Sequence, residues 1–378
     1  MPPIVIIGTG LAGYTLAREF RKLDRDTPLV LISADDGAFY TKPALSNALA
    51  AGKTPQRLVD TPAEAMAARL DATIRTCTRV TALEPDAHRL HLEDGETLDY
   101  DRLVIAWGAD PIRLPIEGDA ADSVLSVNDL ADYARFRTAI AHDRRVLILG
   151  AGLIGSEFAN DLAGAGFEVD VVDPAPWPLG RLLPAAAGEA MAAGLKAVGV
   201  RLHPGRSVTR LDRTPDGIAA TLDDGSTIPT GTVLSAVGLR PRTALAAAAE
   251  LAVNRGIVVD AHLQCSVADI HALGDCAEID GQVRPFVMPI LHAARALART
   301  LAGEPTAVAF PPMPVIVKTP ACPAVVAPPP PGAEGEWEVA HEAGGLVCRF
   351  RDRDGALRGF ALTGGATERR NALTAELS

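Results

Sequence analysis

Two nine-residue stretches, VIIGTGLAG at 5–13 and LILGAGLIG at 147–155, carry glycines at the same three places and superimpose without a gap. Each begins as an apolar strand and runs on into a helical pattern, over 14–22 in one case and 156–165 in the other. In a strand–turn–helix of this kind the first glycine (Gly8, Gly150) permits the tight turn, and the second (Gly10, Gly152) lets a pyrophosphate approach the backbone. The third (Gly13, Gly155) lets helix and strand pack closely, and Thr9, Leu11, Ala12, Leu153 and Ile154 complete the two cofactor loops. Phosphates then rest on a helix N-terminus, where free N–H groups and the helix dipole favour an anion. A single G-x-G-x-x-G is weak evidence, because glycine turns are common between strand and helix. Two copies in that context predict two dinucleotide-binding sites.

An acidic residue at the end of the next strand, about 20 residues on, completes such a site by bonding a ribose hydroxyl. The second copy has Asp173 there, which suits the ribose 2′-OH of NADH and repels the 2′-phosphate of NADPH. The PAPW that follows at 174–177 offers no arginine or lysine to receive that phosphate, so NADH is the expected donor. The first copy ends in Ser33-Ala34-Asp35-Asp36, where Asp35 is favoured over Asp36. Glu157 lies one turn into the second helix. It either faces the nicotinamide or simply stabilises the positive helix end. Two more strand-then-glycine patterns, LVIAWG at 103–108 and VLSAVG at 233–238, follow hairpin-like stretches with Asp94-Gly95 and Asp224-Gly225 turns. A short strand ending in Gly274-Asp275 lies within DIHALGDCAE at 269–278.

The rest of the chain must hold these loops in place. Its 378 residues allow two or three domains, and 48% hydrophobic with 22% charged residues is an ordinary globular composition. A net charge of -11 argues against nucleic acid as the main partner. The N-terminus runs straight into a strand and no long apolar run follows, so neither a signal peptide nor a membrane span is expected. Cys77, Cys265, Cys276, Cys322 and Cys348 form no CxxC or CxxxxC pair, which speaks against a dithiol or a structural zinc and for reduced thiols in the cytoplasm. The histidines have no metal-ligand company, and no metal is expected. Prolines crowd the chain from about Ala309, and residues 312–378 read as a small, mainly β third domain behind a rigid connector.

The order of these motifs, a glycine loop, an inserted second loop, a returning Gly-Asp and then a C-terminal domain, resembles the FAD-dependent pyridine nucleotide oxidoreductases. The resemblance spans essentially the whole chain. It implies an α/β protein with two Rossmann-like FAD/NAD(P)-binding domains and a small α+β C-terminal domain. The implied FAD domain is discontinuous, 1–109 with 234–311, around an NADH domain at 110–233. It also implies that the first loop, Gly274 and Asp275 hold FAD with Val80, Ala106 and Trp107 at contact positions, where plain core packing is the equal alternative for any single apolar residue. Ser33, Ala34, Asp35, Gly108, Val287, the second loop, Asp173 and Gly238 are implied to serve the cofactor sites.

Disulfide-reducing members keep CxxxxC after the first acidic strand end, and NADH oxidases keep one cysteine there. Here the stretch is FYTKPALS at 39–46, without cysteine, so electrons are expected to leave the flavin for an external acceptor. That stretch resembles the (R/K)-P-x-L-S motif of the ferredoxin and rubredoxin reductases. Ferredoxin reductases usually show RPPLSK; this chain has Lys42 for the arginine and Asn47 for the last lysine. GTGLAGY, AWGA at 106–109, AVGLRPRT at 236–243 and VKTPACP at 317–323 resemble the rubredoxin reductase branch.

The resemblance places Lys42, Pro43 and Lys318 near the isoalloxazine, with Lys42, Glu157 and Lys318 as the catalytic set. A lysine, or the helix expected to begin near Pro289, would stabilise the negative charge that reduction puts on the ring. The expected activity is hydride transfer from NADH to FAD followed by single-electron transfer to rubredoxin, a small acidic iron protein. The alternatives are a reductase for a ferredoxin or for a rubredoxin-like domain of another redox protein, and a slow-turnover NADH-sensing flavoprotein. Arginines 349, 351, 353, 358, 369 and 370 against Asp352, Asp354 and Glu368 leave a local excess of +3, a candidate docking patch.

Overall fold

The structure, a computed structural model, describes residues 2–342 and 344–377. It divides into two compact units. Met1–Lys42, Arg57–Asp110 and Leu239–Pro311 form the first, and Pro43–Gln56, Pro111–Gly238 and Pro312–Ser378 form the second.

In the first unit the strands Ile270–Ala272, Arg102–Ile105, Ile4–Ile7, Leu29–Ile32 and Thr73–Arg75 lie side by side in that order, all parallel. Ile4–Ile7 is buried at every position, as a central parallel strand covered on both faces requires. Ile270–Ala272 returns from far downstream to pair with Arg102–Ile105, so the unit is discontinuous in sequence. Helix Leu11–Arg21 packs against helix Val287–Leu301. The latter starts two residues before the expected Pro289, which sits in the first turn, where a missing N–H costs no helical bond. Strands Val80–Glu84, Arg89–Leu92 and Thr97–Asp99 form the expected antiparallel hairpins, with Gly95 at φ +88° in the turn.

The second unit repeats the parallel theme with Arg201–Pro204, Glu168–Asp173, Arg145–Leu149 and Thr232–Ser235 in that order. An antiparallel sheet of Val208–Thr214, Gly217–Leu222 and Thr227–Thr230 adjoins it in sequence. Its C-terminal part is a five-stranded antiparallel sheet, ordered Val315–Val317, Ala324–Ala327, Leu357–Thr363, Gly345–Asp352 and Gly335–Glu342, followed by helix Arg370–Glu376. Helix Ala185–Ala197 packs against Gly345–Asp352 and Leu357–Thr363. At Gly194 a Cβ would meet the Ala321 carbonyl oxygen at 2.7 Å. In the second unit 312–378 thus lies with 111–238, and 43–56 belongs to the same unit.

The arginine-rich stretch is not a basic patch. Arg351 meets Glu338 at 3.2 Å, Arg353 meets Glu334 at 2.8 Å and Arg358 meets Asp352 at 2.6 Å, while Arg349 and Arg369 both face Glu342. Glu334, Glu338 and Glu342 lie outside the counted window, and the pairing of Gly335–Glu342 with Gly345–Asp352 carries Glu338 and Glu342 across to the arginines. They cancel the local excess.

His271, on the returning strand, is 3% exposed, and its Nδ1 has no hydrogen-bond partner among the described residues. Burial, reinforced by Arg102, pushes its pKa from 6.5 down to about 4. The unfolded chain takes up this proton near 6.5 and the folded chain does so only near 4, so the stability that neutral His271 contributes is lost as pH falls through that window. The full shift corresponds to about 3 kcal/mol. Denaturant unfolding should show stability falling between pH 7 and pH 5 by about 2 kcal/mol more than in a His271→Asn variant, which has no group to titrate there.

Candidate functional site

The two glycine loops adopt one geometry. Gly8 has φ +117° and Gly150 φ +98°, a region that disfavours any side chain. Gly10 and Gly152 cap their helices at φ −70° with ψ −170° and −167°. A Cβ on Gly13 or Gly155 would stand 1.9 Å from the carbonyl oxygen of Gly8 or Gly150, whereas one on Gly10 or Gly152 would meet nothing within 4 Å. The fold itself thus demands the first and third glycines. The second leaves open backbone at the helix N-terminus, the cradle a pyrophosphate needs. Behind the loops, a Cβ on Gly8 would reach the Ala106 carbonyl oxygen at 2.3 Å, and one on Gly150 would reach that of Ala236 at 2.8 Å.

The strand ends lock onto these loops. Thr9 Oγ1 lies 2.6 Å from Ser33 Oγ, which in turn donates to the Asp35 carboxylate. Asp35 also accepts from Gly37 N at 2.9 Å, so it is fixed while remaining exposed beside Ala34. In the second loop Asp173 accepts from Ala151 N at 2.5 Å and from Ala175 N at 2.7 Å. Each oxygen keeps a lone pair for a ribose hydroxyl. Leu11 and Leu153 open the two helices, with Ala12 buried and Ile154 exposed.

The Gly-Asp motif is brought to the first loop by the sheet order. Leu273 N donates to the Ile105 carbonyl at 3.1 Å, and a Cβ on Gly274 would meet that of Ala12 at 2.9 Å. Burial pushes the Asp275 carboxyl up, and Lys42, with Nζ at 3.9 Å, opposes the shift. Trp107 Nε1 donates to the Arg242 carbonyl at 2.9 Å, and Arg242 Nη1 donates back to that of Trp107 at 2.6 Å. This clasp fixes the turn at Gly108, φ +75°; Gly238 turns at φ +111° in the second unit. Val80 is buried core, and Val287 stands exposed at the start of its helix.

Glu157 is 1% exposed, yet both its oxygens are bonded. Oε2 accepts from Ser46 Oγ at 2.5 Å and Asn47 Nδ2 at 3.2 Å, and Lys318 Nζ stands 3.2 Å away. Oε1 accepts from Lys318 N at 3.0 Å. Lys318 Nζ also donates to the Pro43 carbonyl. Glu157 is thus a buried hub and not a solvated helix-end carboxylate. Where the related motif ends in lysine, Asn47 supplies a neutral donor and the cation arrives from Lys318.

The same helix face adds two residues that sequence reasoning missed. Asp161 accepts from Leu49 N at 2.8 Å and Ala50 N at 3.0 Å, and Asn160 accepts from Ala321 N at 2.9 Å. Burial raises the Asp161 carboxyl pKa against those two N–H donors. The available signal was a polar trio at i, i+3 and i+4 in an otherwise apolar helix.

Residues 2–298 match the family described as pyridine nucleotide-disulphide oxidoreductase, and residues 307–377 match the rubredoxin binding C-terminal domain. The chain is 48% identical over 378 residues to a rubredoxin-NAD(+) reductase of Alcanivorax borkumensis, covering 100% of this chain and 99% of that one. It is 47% identical over 381 residues to the protein of the same name from Acinetobacter baylyi, covering 99% and 97%. A crystal structure of a ferredoxin reductase from Rhodopseudomonas palustris superposes with a TM-score of 0.90 at 25% identity, over 100% of this chain and 96% of that one. With its paired glycine cradles, returning Gly-Asp and C-terminal domain, the chain belongs to the pyridine nucleotide-disulphide oxidoreductases, in their rubredoxin-NAD(+) reductase branch.

Proposed function

We propose that this protein passes electrons from NADH through FAD to rubredoxin, one at a time to the iron protein. The observation that carries the reading is the pair of cradles with matching geometry in a chain whose C-terminal region matches a rubredoxin-binding domain. FAD, when bound, supplies the two-electron to one-electron conversion. The chain's own residues bind, orient and balance charge. Gly8–Gly13 and Asp35 hold the FAD adenosine and pyrophosphate, with Asp275 at the ribityl end. Gly150–Gly155 and Asp173 hold NADH. Lys42 and Lys318 place positive charge where the reduced ring becomes negative. Glu157 positions Lys318 and binds 43–47, so the loop carrying Pro43 is set by the same carboxylate. Hydride transfer needs no protein acid or base, and ring alignment is the main contribution asked of the site.

In functional terms the chain divides as 1–109 with 234–311 for FAD, 110–233 for NADH and 312–378 for the acceptor. The sequence reading favours the cytoplasm; no helix among the described residues is long and apolar enough to cross a membrane.

Anaerobic NADH should bleach the bound flavin quickly, and rubredoxin should reoxidise it faster than ferredoxin does; faster reoxidation by ferredoxin refutes the assignment of acceptor. Gly152→Ala meets no protein atom, so melting temperature and flavin content should hold while KM for NADH rises about tenfold through a lost phosphate contact. Lys318→Met leaves Glu157 buried without its cation. Because Lys318 is 40% exposed, the loss should be about 2 kcal/mol, less than for a fully buried pair, and adding Glu157→Gln should restore most of it in chemical denaturation.

A further inference from the structure

We infer that Asp224 is a second determinant of the preference for NADH, acting by occupying Arg206 beside the ribose-binding end of the second glycine loop. The inference rests on the reading that Gly150–Gly155 and Asp173 hold the adenosine half of NADH.

The residues after Asp173 contain no cation, but the fold brings one from elsewhere. Gly205 N donates to the Ala175 carbonyl at 3.1 Å and Arg206 N to that of Asp173 at 3.2 Å. The Arg206 backbone is therefore tied to that of Asp173, the residue whose carboxylate is expected to meet the ribose. Its guanidinium is engaged: Nε lies 2.8 Å from Asp224 Oδ2. Asp224 sits in the turn between Gly217–Leu222 and Thr227–Thr230, and Asp223 N donates to the Ser207 carbonyl at 2.9 Å, which fastens that turn to the Arg206 loop.

Asp224 is held independently of its partner. Oδ1 accepts from Ser226 Oγ at 2.6 Å and Ser226 N at 3.0 Å. These bonds, with Arg206 assisting, keep its carboxyl below the usual carboxylate range, so it is ionised at neutral pH. The pair is reachable, with Arg206 45% and Asp224 35% exposed.

A 2′-phosphate carries between one and two extra negative charges, and arginine is the side chain best shaped to receive it. Asp173 repels that phosphate directly. Asp224 removes the compensation that Arg206 would otherwise offer. Two carboxylates thus act on the same discrimination, one by repulsion and one by occupying the cation.

The test uses the FAD-loaded protein with ferricyanide as acceptor, so that rubredoxin plays no part, and compares KM for NADPH and NADH. Asp224→Asn should lower KM for NADPH about five- to tenfold and leave KM for NADH within about twofold. Asp224→Glu should keep the wild-type preference. Arg206→Gln added to Asp224→Asn should abolish the gain, and Asp173→Ala with Asp224→Asn should favour NADPH more than either change alone. The inference is overturned if Asp224→Asn leaves KM for NADPH unchanged, or if it shifts both coenzymes equally with a lower melting temperature, the mark of a purely structural turn. If NADH fails to reduce the wild-type flavin, the underlying reading falls too; if NADH reduces it and Asp224→Asn has no effect, Asp224 alone loses its role.

Discussion

A carboxylate removed from water must be fully hydrogen-bonded or its burial is ruinous, and Glu157 imposes that condition on the second unit. Its donors come from two separate stretches, Ser46 with Asn47 and Lys318. Satisfying one side chain therefore fixes where 43–47 and 317–319 run. Asn160 and Asp161 repeat the device one turn later, anchoring Ala321, Leu49 and Ala50 by their backbone N–H groups. A helix opened by a nucleotide loop thus organises two segments that the resemblance assigns to the flavin.

Chain topology supplies the complementary constraint in the first unit. Because Ile270–Ala272 pairs with Arg102–Ile105, which pairs with Ile4–Ile7, the turn after residue 273 must emerge at the same sheet end as the turn after residue 7. Parallel strands place all their C-terminal ends together, and the crevice there is where such sheets take ligands. Gly274-Asp275 is beside Ala12 for that reason, and not because of any local preference of its own.

What could be read from residues alone follows the same division. The glycine loops, Asp173 and the Asp-Gly hairpins were legible because their meaning is local: a positive φ, a close helix–strand approach, a strand end. The hub at Glu157 was not, since its partners are more than a hundred positions away and a buried glutamate looks like any helix-start carboxylate until those partners are placed. The arginines at 349–370 were misread for the related reason that charge was summed along the chain, while Glu338 and Glu342 reach them across a strand pairing.

Three cations at the positions proposed to be functional share one arrangement: Lys42 with Asp275, Lys318 with Glu157 and Arg206 with Asp224. In each, the carboxylate is held by burial, by other donors or by its own turn, and the cation is the more exposed member. Such pairs are near neutral at rest, which suits a partly desolvated site. They differ in what an incoming negative charge can do. In the proposed function the long, flexible lysines turn part of their field toward a ring that gains electrons without leaving their partners. In the inferred discrimination Arg206 would receive a fixed phosphate, and its Nε is already engaged by Asp224. The same ion-pair chemistry therefore assists charge that arises during the reaction and denies it to charge carried in on the coenzyme, and the difference lies in whether the cation's geometry can be shared.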